Sequence, residues 1–494
     1  MDRSFLKHAA IYGMATMLVQ AGSFVLLPIY LRGLNRAEYG VLEIVGRLAE
    51  TLATLLLLGG FRQALFTFYQ QANDEPARRR VVVSAYLLIG SAGVLGALAT
   101  LAASPWIGPW LFGATGSAHA AWLLPLAVAG ILLEPFNLLP LTLIQARVES
   151  ATYVVVVISQ FLVRVCLCIL LVRVFAWGVA GALIATAATG LLFGAVLTGR
   201  ELARGVAWPG LAQLRAMLWF ALPLLPGGIC FFVLHHGDRF FLLRHATAGE
   251  IGSYALGYKL GMVVKMLTLG PLLMVWSARM YAVAREPDAP VQFGRATTRI
   301  LGAYLLAGLG LCLFAGEIVT ILGGEEYAAA VPIVAPVVLA CFFQSAATLM
   351  DAAFFIRGRT GQKFGVSLVA TAAMLLLYWL LIPPYGAIGA ALATAGGFAI
   401  LALATYWTSQ RLFPVSYEWG RLIGLTAVAV AGVLIGASLP PTTWAPVARL
   451  ALFALLIVLA WASPLVHGDE RRQVLGGIGL ALSRLKGRPE GSIA

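Results

Sequence analysis

The sequence predicts an all-α polytopic membrane protein with about 14 transmembrane helices. Two parallel six-helix repeats would form two lobes, followed by two additional C-terminal helices. Three observations carry this. The chain is 61% hydrophobic and only 11% charged, against about 25% charged for an ordinary soluble domain. Apolar segments near the ~20 residues a spanning helix needs recur along it, with short connections between them. The third observation is that the chain contains itself twice. LRGLNRAEYGVLEIVGRL (31–48) returns as LRHATAGEIGSYALGYKL (243–260), with Leu31, Arg32, Glu38, Gly40 and Leu48 recurring as Leu243, Arg244, Glu250, Gly252 and Leu260. Arg47 recurs as Lys259. At nearly the same offset WGVAGALIATA (177–187) returns as YGAIGAALATA (385–395).

The apolar segments centre near residues 20, 55, 92, 132, 164, 188, 225, 265, 311, 343, 374, 397, 429 and 456. The first follows Arg3 and Lys7 and runs unbroken to Leu31, too long for a signal-peptide core, so it reads as a retained helix. Basic residues set the orientation. Alternate connections carry Arg78, Arg79 and Arg80, then Arg147, then Arg200, Arg204 and Arg215, then Arg279, Arg285, Arg295 and Arg299, then Arg357, Arg359 and Lys363. The opposite connections, such as 104–120 and GGEEY (323–327), are neutral or acidic. This bias places both termini in the cytoplasm, and the net charge of +13 needs no nucleic-acid partner. The repeats share one orientation, which requires an axis along the membrane normal. The expected division is residues 1–205 for the first lobe, 206–410 for the second, 411–466 for the two additional helices and 467–494 for an amphipathic cytoplasmic tail.

Several chemistries are excluded or unsupported. Cys166, Cys168, Cys230, Cys312 and Cys341 all lie in apolar segments without metal or disulfide spacing. His235 and His236 are adjacent and point in different directions on a helix. No phosphate-binding loop of the G-x-x-x-x-G-K-[ST] type is present. No cofactor is expected, and no loop is long enough to fold as a catalytic domain. Gly178, Gly181, Ala182 and Ala185 read as a small helix-packing face, repeated at Gly386, Gly389, Ala390 and Ala393. Pro28, Pro223 and Pro226 are expected to bend the first helix of each repeat.

Charges inside apolar segments are the candidate functional groups, because they face a bundle interior, pair, or line a wet cavity. Glu43, Arg47 and Glu50 share one helical face, with Arg62 on roughly the same side further along. Arg164 falls mid-segment, and Lys259 and Lys265 sit about 120° apart on one helix. Glu134, Asp238 and Asp351 are the acids on other helices. Internal salt bridging is an alternative reading for Glu43, Arg47 and Glu50. Arg164, Lys259 and Lys265 have no acid one turn away on their own helix.

DRFFLLRHATAGEIGSYALGYKL (238–260) resembles the helix 7–8 signature of bacterial polysaccharide and oligosaccharide-lipid flippases, and LPIYLRGLNRAEYG (27–40) is similar to their helix 1–2 junction. These belong to the polysaccharide transporter branch of the multidrug/oligosaccharidyl-lipid/polysaccharide exporter superfamily. No resemblance to the N-terminal pattern of peptidoglycan-precursor flippases is visible. The resemblance implies two six-helix lobes around a central cavity in a bacterial inner membrane. It implies alternating-access export of an undecaprenyl-diphosphate-linked sugar, with membrane lipids, a polysaccharide polymerase and export machinery as partners, and no enzyme activity. Asp238 and Arg239 carry over as its signature pair. The expected substrate-binding set is Arg47, Arg62, Arg164, Arg239, Lys259 and Lys265, since Arg and Lys suit a diphosphate. Glu43, Glu50, Glu134 and Asp238 are the expected ion-coupling candidates. An organic-cation exporter of the same fold is the first alternative. A membrane glycosyltransferase or polysaccharide polymerase is the second, disfavoured by the short outer loops.

Overall fold

A computed structural model describes residues 22, 24–53, 60–112, 122–440, 444–465 and 471. The expected segment centres at 20 and 55, and all of the 467–494 tail except Arg471, lie outside them. The described residues form helices and connections, with no strand among them. The helices are α1 (Phe24–Gly33), α2 (Arg36–Ala53), α3 (Phe61–Gln71), α4 (Glu75–Phe112), α5 (Leu124–Ala146) and α6 (Ser150–Cys168). Then follow α7 (Gly178–Ala203), α8 (Leu211–Ala221), α9 (Leu225–Leu242), α10 (Ala248–Val283), α11 (Ala289–Leu313) and α12 (Ala315–Gly323). The last are α13 (Val331–Met350), α14 (Ala352–Ile356), α15 (Thr360–Leu412), α16 (Trp419–Ser438) and α17 (Ala445–Ala462). Among the described residues, 10 helical stretches are long and apolar enough to cross a membrane. One of these, Thr360–Leu412, is two helices meeting at Gly386, whose φ is +54°.

Two of the three prolines expected to bend a helix fall where α8 passes into α9. A 3-10 turn at Leu222–Leu224, containing Pro223, separates α8 from α9, and Pro226 occupies the first turn of α9. A proline ring clashes with the carbonyl four residues back and donates no hydrogen bond, so the α-helical ladder breaks there.

The chain forms two compact units. The first holds residues to Tyr281 and Gly316–Phe413; the second holds Ala282–Ala315 and the chain from Pro414. Within the first, the repeated motifs have repeated geometry. Asn35 Oδ1 accepts from the Glu38 amide at 2.9 Å, and Glu38 Oε2 accepts from the Asn35 amide at 2.9 Å. Thr247 and Glu250 do the same ahead of α10: Glu250 Oε2 accepts from the Thr247 amide at 2.7 Å, and Thr247 Oγ1 from the Glu250 amide at 3.3 Å. Both are capping boxes, which satisfy amides at a helix start that have no partner within the helix. Gly40 and Gly252, two residues further on, bring these helix starts into backbone contact. A Cβ on Gly40 would overlap the Ala248 carbonyl, and one on Gly252 the Arg36 carbonyl; each would lie 3.1 Å from the other glycine's nitrogen.

The second repeated motif corrects one expectation. Gly178 and Gly386 are not members of a helical face. Both adopt left-handed backbone, at φ +57° and +54°, and mark the start of a helix, a conformation glycine reaches without steric cost. Gly181 and Gly389 are the packing positions, seated on the Leu171 and Leu381 carbonyls.

Away from the capping boxes, α3, α4, α5 and α8 pack through Phe61, Leu65, Ile89, Leu139, Leu143 and Met217. Beside this core Arg147 grips Glu201 with two bonds of 2.8 and 2.7 Å and donates from Nε to the Tyr69 hydroxyl at 2.9 Å. The Glu201 side chain is 4% exposed and that of Arg147 19%, so removing the carboxylate leaves a mostly buried guanidinium without its counter-ion. Glu201→Ala should lower stability by about 3–5 kcal/mol, read as a fall in thermal unfolding temperature in detergent. Arg200→Ala, whose contact to Glu149 is 3.6 Å at the surface, should cost under about 1 kcal/mol.

In the second unit, α11 packs on α16 and α17 through small residues. Gly432 and Gly436 receive Leu309 and Leu313, and Gly294 sits against the Ser416 carbonyl.

Candidate functional site: an ion-paired cavity and a separate lysine cavity

Within the first unit a cavity of about 530 Å³ is lined from α1, α2, α5, α6, α7 and α10. It collects six of the expected residues: Glu43, Arg47, Glu50, Glu134, Arg164 and Lys259. Tyr30 and Tyr39 also line it.

Glu43 is its hub. The side chain is 6% exposed and receives three cations. Arg47 Nε approaches Oε1 at 2.9 Å, Lys259 Nζ approaches Oε2 at 2.9 Å, and Arg239 Nε lies 3.5 Å from Oε1. Arg47 and Lys259 are the equivalent positions of the two repeats. The equivalent of Glu43 is Ala255, so one carboxylate serves cations from both copies. Lys259 also donates to the Tyr39 hydroxyl at 2.8 Å. Arg47 further pairs with Glu50, whose other oxygen lies 3.5 Å from His236 Nε2.

Asp238 and Arg239 are buried immediately beside this network. Asp238 accepts from Arg239 NH1 at 3.0 and 3.1 Å and from the Tyr254 hydroxyl. The Arg239 guanidinium stacks 4.3 Å from the Tyr258 ring centroid, a cation–π contact. Counted together, Arg47, Arg164, Arg239 and Lys259 face Glu43, Glu50, Glu134 and Asp238, so the cavity is charge-balanced rather than simply cationic. Arg164 is the exception in its pairing. It has no carboxylate within 4 Å among the described residues, and its buried Nε has no hydrogen-bond partner.

The remaining expected residues lie elsewhere. Arg62 is on α3, where it is exposed and donates to Gln145 Oε1 at 3.0 Å. Lys265 lines a second cavity of about 460 Å³. There it donates to Gln344 Oε1. The roughly 120° between Lys259 and Lys265 is therefore realised as two destinations.

Sequence reasoning passed over Tyr39, Tyr254, Tyr258, His235, His236 and Gln344 as site residues. The adjacent histidines do diverge, His236 towards Glu50 and His235 towards Gln344. Tyr39 carried a usable signal, standing next to the repeated Gly40. Gln344 carried none.

One end of this region is closed over. The Gly40–Gly252 contact lies one helical turn from Glu43. Arg36 donates to the Glu326 carbonyl at 3.2 Å and Arg32 to that of Ile321 at 3.1 Å. Tyr327 packs edge-on to Tyr39, with centroids 6.1 Å apart.

Residues 5–277 match the family model described as polysaccharide biosynthesis protein. No curated protein sequence matches the chain. Among solved structures, the fold is similar to that of lipid II flippase MurJ in an inward closed conformation, with TM-score 0.73, 12% identity, and coverage of 91% of this chain and 97% of that one. It is also similar to an inward-facing multidrug resistance MATE family transporter of the MOP superfamily, with TM-score 0.66, 13% identity and coverage of 86% and 99%. A MOP superfamily transporter from Pyrococcus furiosus, described as having a binding pocket of reversed polarity, matches with TM-score 0.59, 15% identity and coverage of 85% and 96%. At these identities the likeness is one of fold.

Proposed function

This chain belongs to the polysaccharide biosynthesis protein family, and from that premise we propose that it is a flippase moving a polyprenyl-diphosphate-linked oligosaccharide across the bacterial inner membrane. It is a multi-pass membrane protein of a transporter family rather than an enzyme. In the proposed arrangement some 14 helices form two six-helix repeats and two additional helices, with both termini cytoplasmic. The Gly40–Gly252 contact then closes the outer end.

Arg164 carries the reading. A cation in the middle of a span costs about 2.5–3.5 kcal/mol even on the insertion scale. This one lines a cavity shared by both repeats with no carboxylate within 4 Å among the described residues, Glu134 of the same lining standing farther off. A diphosphate supplies an anion at hydrogen-bonding distance, which a guanidinium meets with two parallel donors. Arg47 and Lys259 stand ready on Glu43. As the diphosphate enters, it competes with that carboxylate for them, so binding loosens the pairing that joins the two repeats. Substrate thereby biases the alternating-access equilibrium, because it interacts differently with the two states. The sugar head follows the polar cavity while the polyprenyl tail stays in lipid.

The test is translocation of a fluorescent polyprenyl-diphosphate oligosaccharide in proteoliposomes. Arg164→Gln should reduce the rate by about 100-fold, the loss of about 2.7 kcal/mol, with normal insertion and monodispersity. Arg164→Lys should retain part, since charge survives without the fork. Full activity of Arg164→Gln would remove the diphosphate site from this cavity.

Orientation has its own check. Cysteines replacing Asn73 and Glu325 should be labelled by a membrane-impermeant thiol reagent from the inside and outside respectively. Labelling of the Asn73 position from outside would reverse the transport direction.

A further inference from the structure

We infer that the second cavity is a separate sugar-acid site: it recognises a glycan residue bearing one carboxylate, through Lys265 and Gln344. This rests on the flippase reading and adds the class of glycan.

The argument follows the direction of the hydrogen bonds. His235 Nδ1 lies 2.8 Å from the Phe231 carbonyl. A carbonyl only accepts, so Nδ1 carries the proton. In the neutral ring Nε2 is then an acceptor, and its contact is the Gln344 amide nitrogen, which must donate. That fixes the Gln344 amide, turning Oε1 towards Lys265, which donates to it. The histidine is thereby used up. What the chain has left is one N–H on Gln344 and two on the Lys265 ammonium. A cluster whose spare hydrogens all come from a cation and its neighbouring amide is built for an acceptor-only, negatively charged group.

Charge agrees. In the same lining Lys363 donates to Asp351 Oδ1 at 2.6 Å and neutralises it. Lys265 has no carboxylate within 4 Å among the described residues, so the lining holds one positive charge without its counterpart. One carboxylate balances it; a diphosphate overfills it.

The remaining walls suit the rest of a sugar ring. Asp351 retains acceptor capacity and Lys363 donor capacity, the complementary pair that hydroxyl groups need. Phe231 and Phe364 line the same space, and both residues are partly exposed. About 460 Å³ falls within the range of about 300–1,000 Å³ of small-molecule sites, where apolar walls surround a few convergent polar groups. His236 faces Glu50 in the first cavity and His235 faces Gln344 in the second. A single turn of α9 therefore touches both sites, which would place a carboxylated sugar close to the diphosphate end of the same substrate.

The test is isothermal titration of the full-length protein in detergent with sodium glucuronate, glucose and inorganic phosphate as probes. Glucuronate should bind saturably and glucose at least about tenfold more weakly. Lys265→Gln should lower glucuronate affinity by at least about tenfold, Lys265→Arg should keep most of it, and Arg164→Gln should leave it unchanged. If Lys265→Gln does not fold, Gln344→Glu serves, since it keeps the volume but sets a carboxylate beside Lys265 and should abolish binding. The inference is overturned by equal binding of glucose, by glucuronate affinity that ignores both substitutions, by no saturable glucuronate binding, or by phosphate binding equally well at Lys265. Failure of the flippase reading looks different: glucuronate would bind at Lys265 while no polyprenyl-diphosphate glycan is translocated. Equal translocation of neutral and acidic lipid-linked glycans would spare that reading and remove this one.

Discussion

Gly40→Leu is expected to abolish transport while leaving a folded, monodisperse protein that can no longer close one end. The Gly40 position faces the Ala248 carbonyl and the Gly252 nitrogen with no room for even a methyl group. Backbone atoms on a capped helix start cannot step aside as a flexible side chain would, so α2 and α10 must separate. Overpacking costs about 1–3 kcal/mol even where side chains adjust, which shifts a closed-to-open equilibrium by about fivefold to more than 100-fold. A cysteine replacing Ala248, which is 1% exposed, reads this directly. Its maleimide labelling rate in detergent should rise by about fivefold or more when Gly40→Leu is added. Gly46 lies on the same helix and would meet nothing within 4 Å, so Gly46→Leu should leave the rate unchanged. Equal rates in the Gly40 and Gly46 variants would mean that the glycine contact does not hold this end shut.

That contact also shows what the sequence could and could not reveal. Glu38, Gly40, Glu250 and Gly252 announced themselves as repeats, because a polar junction has no compositional reason to recur. Their separate jobs did not follow from recurrence. The glutamates satisfy amides of their own helices, which is a local event, whereas the glycines answer to each other across more than 200 residues. The same distinction governs the charges. Glu43, Arg47 and Glu50 were readable as one face because α2 is a continuous helix through them. Extending that face to Arg62 assumed an unbroken helix, but Arg62 belongs to α3, which begins at Phe61 after a turn at Gly60. Lys259 looked unpaired because its carboxylate is on another helix. Gly178 and Gly386 looked like packing positions because spacing reveals a face but not the sign of φ. Hydrophobic periodicity reports what one helix buries; ion pairing across helices and left-handed turns are set by tertiary structure.

Glu43 provides the sharpest division between a structural and a transport role. Three cations share its carboxylate, so Glu43→Gln should be far more damaging than loss of any one cation. The amide leaves Arg47, Arg239 and Lys259 facing one another in a desolvated site, and removing one partner of a buried pair costs about 3–5 kcal/mol. Lys259→Gln instead leaves Glu43 with both arginines. Its stability cost should be about 1 kcal/mol or less, the scale of a single net hydrogen bond. Thermal unfolding in detergent measures both, and the double variant Glu43→Gln/Lys259→Gln should be more stable than Glu43→Gln alone by about 0.5–3 kcal/mol, the coupling expected of groups in direct contact. Transport separates the roles. If Lys259 only offsets Glu43, the double variant recovers activity along with stability. If Lys259 leaves Glu43 to bind the diphosphate, stability recovers and activity does not, because the uncharged amide has no substitute for the ammonium at the moment of binding. Comparable destabilisation by Lys259→Gln and Glu43→Gln would show that the carboxylate is not the hub and that the cations are held by other partners.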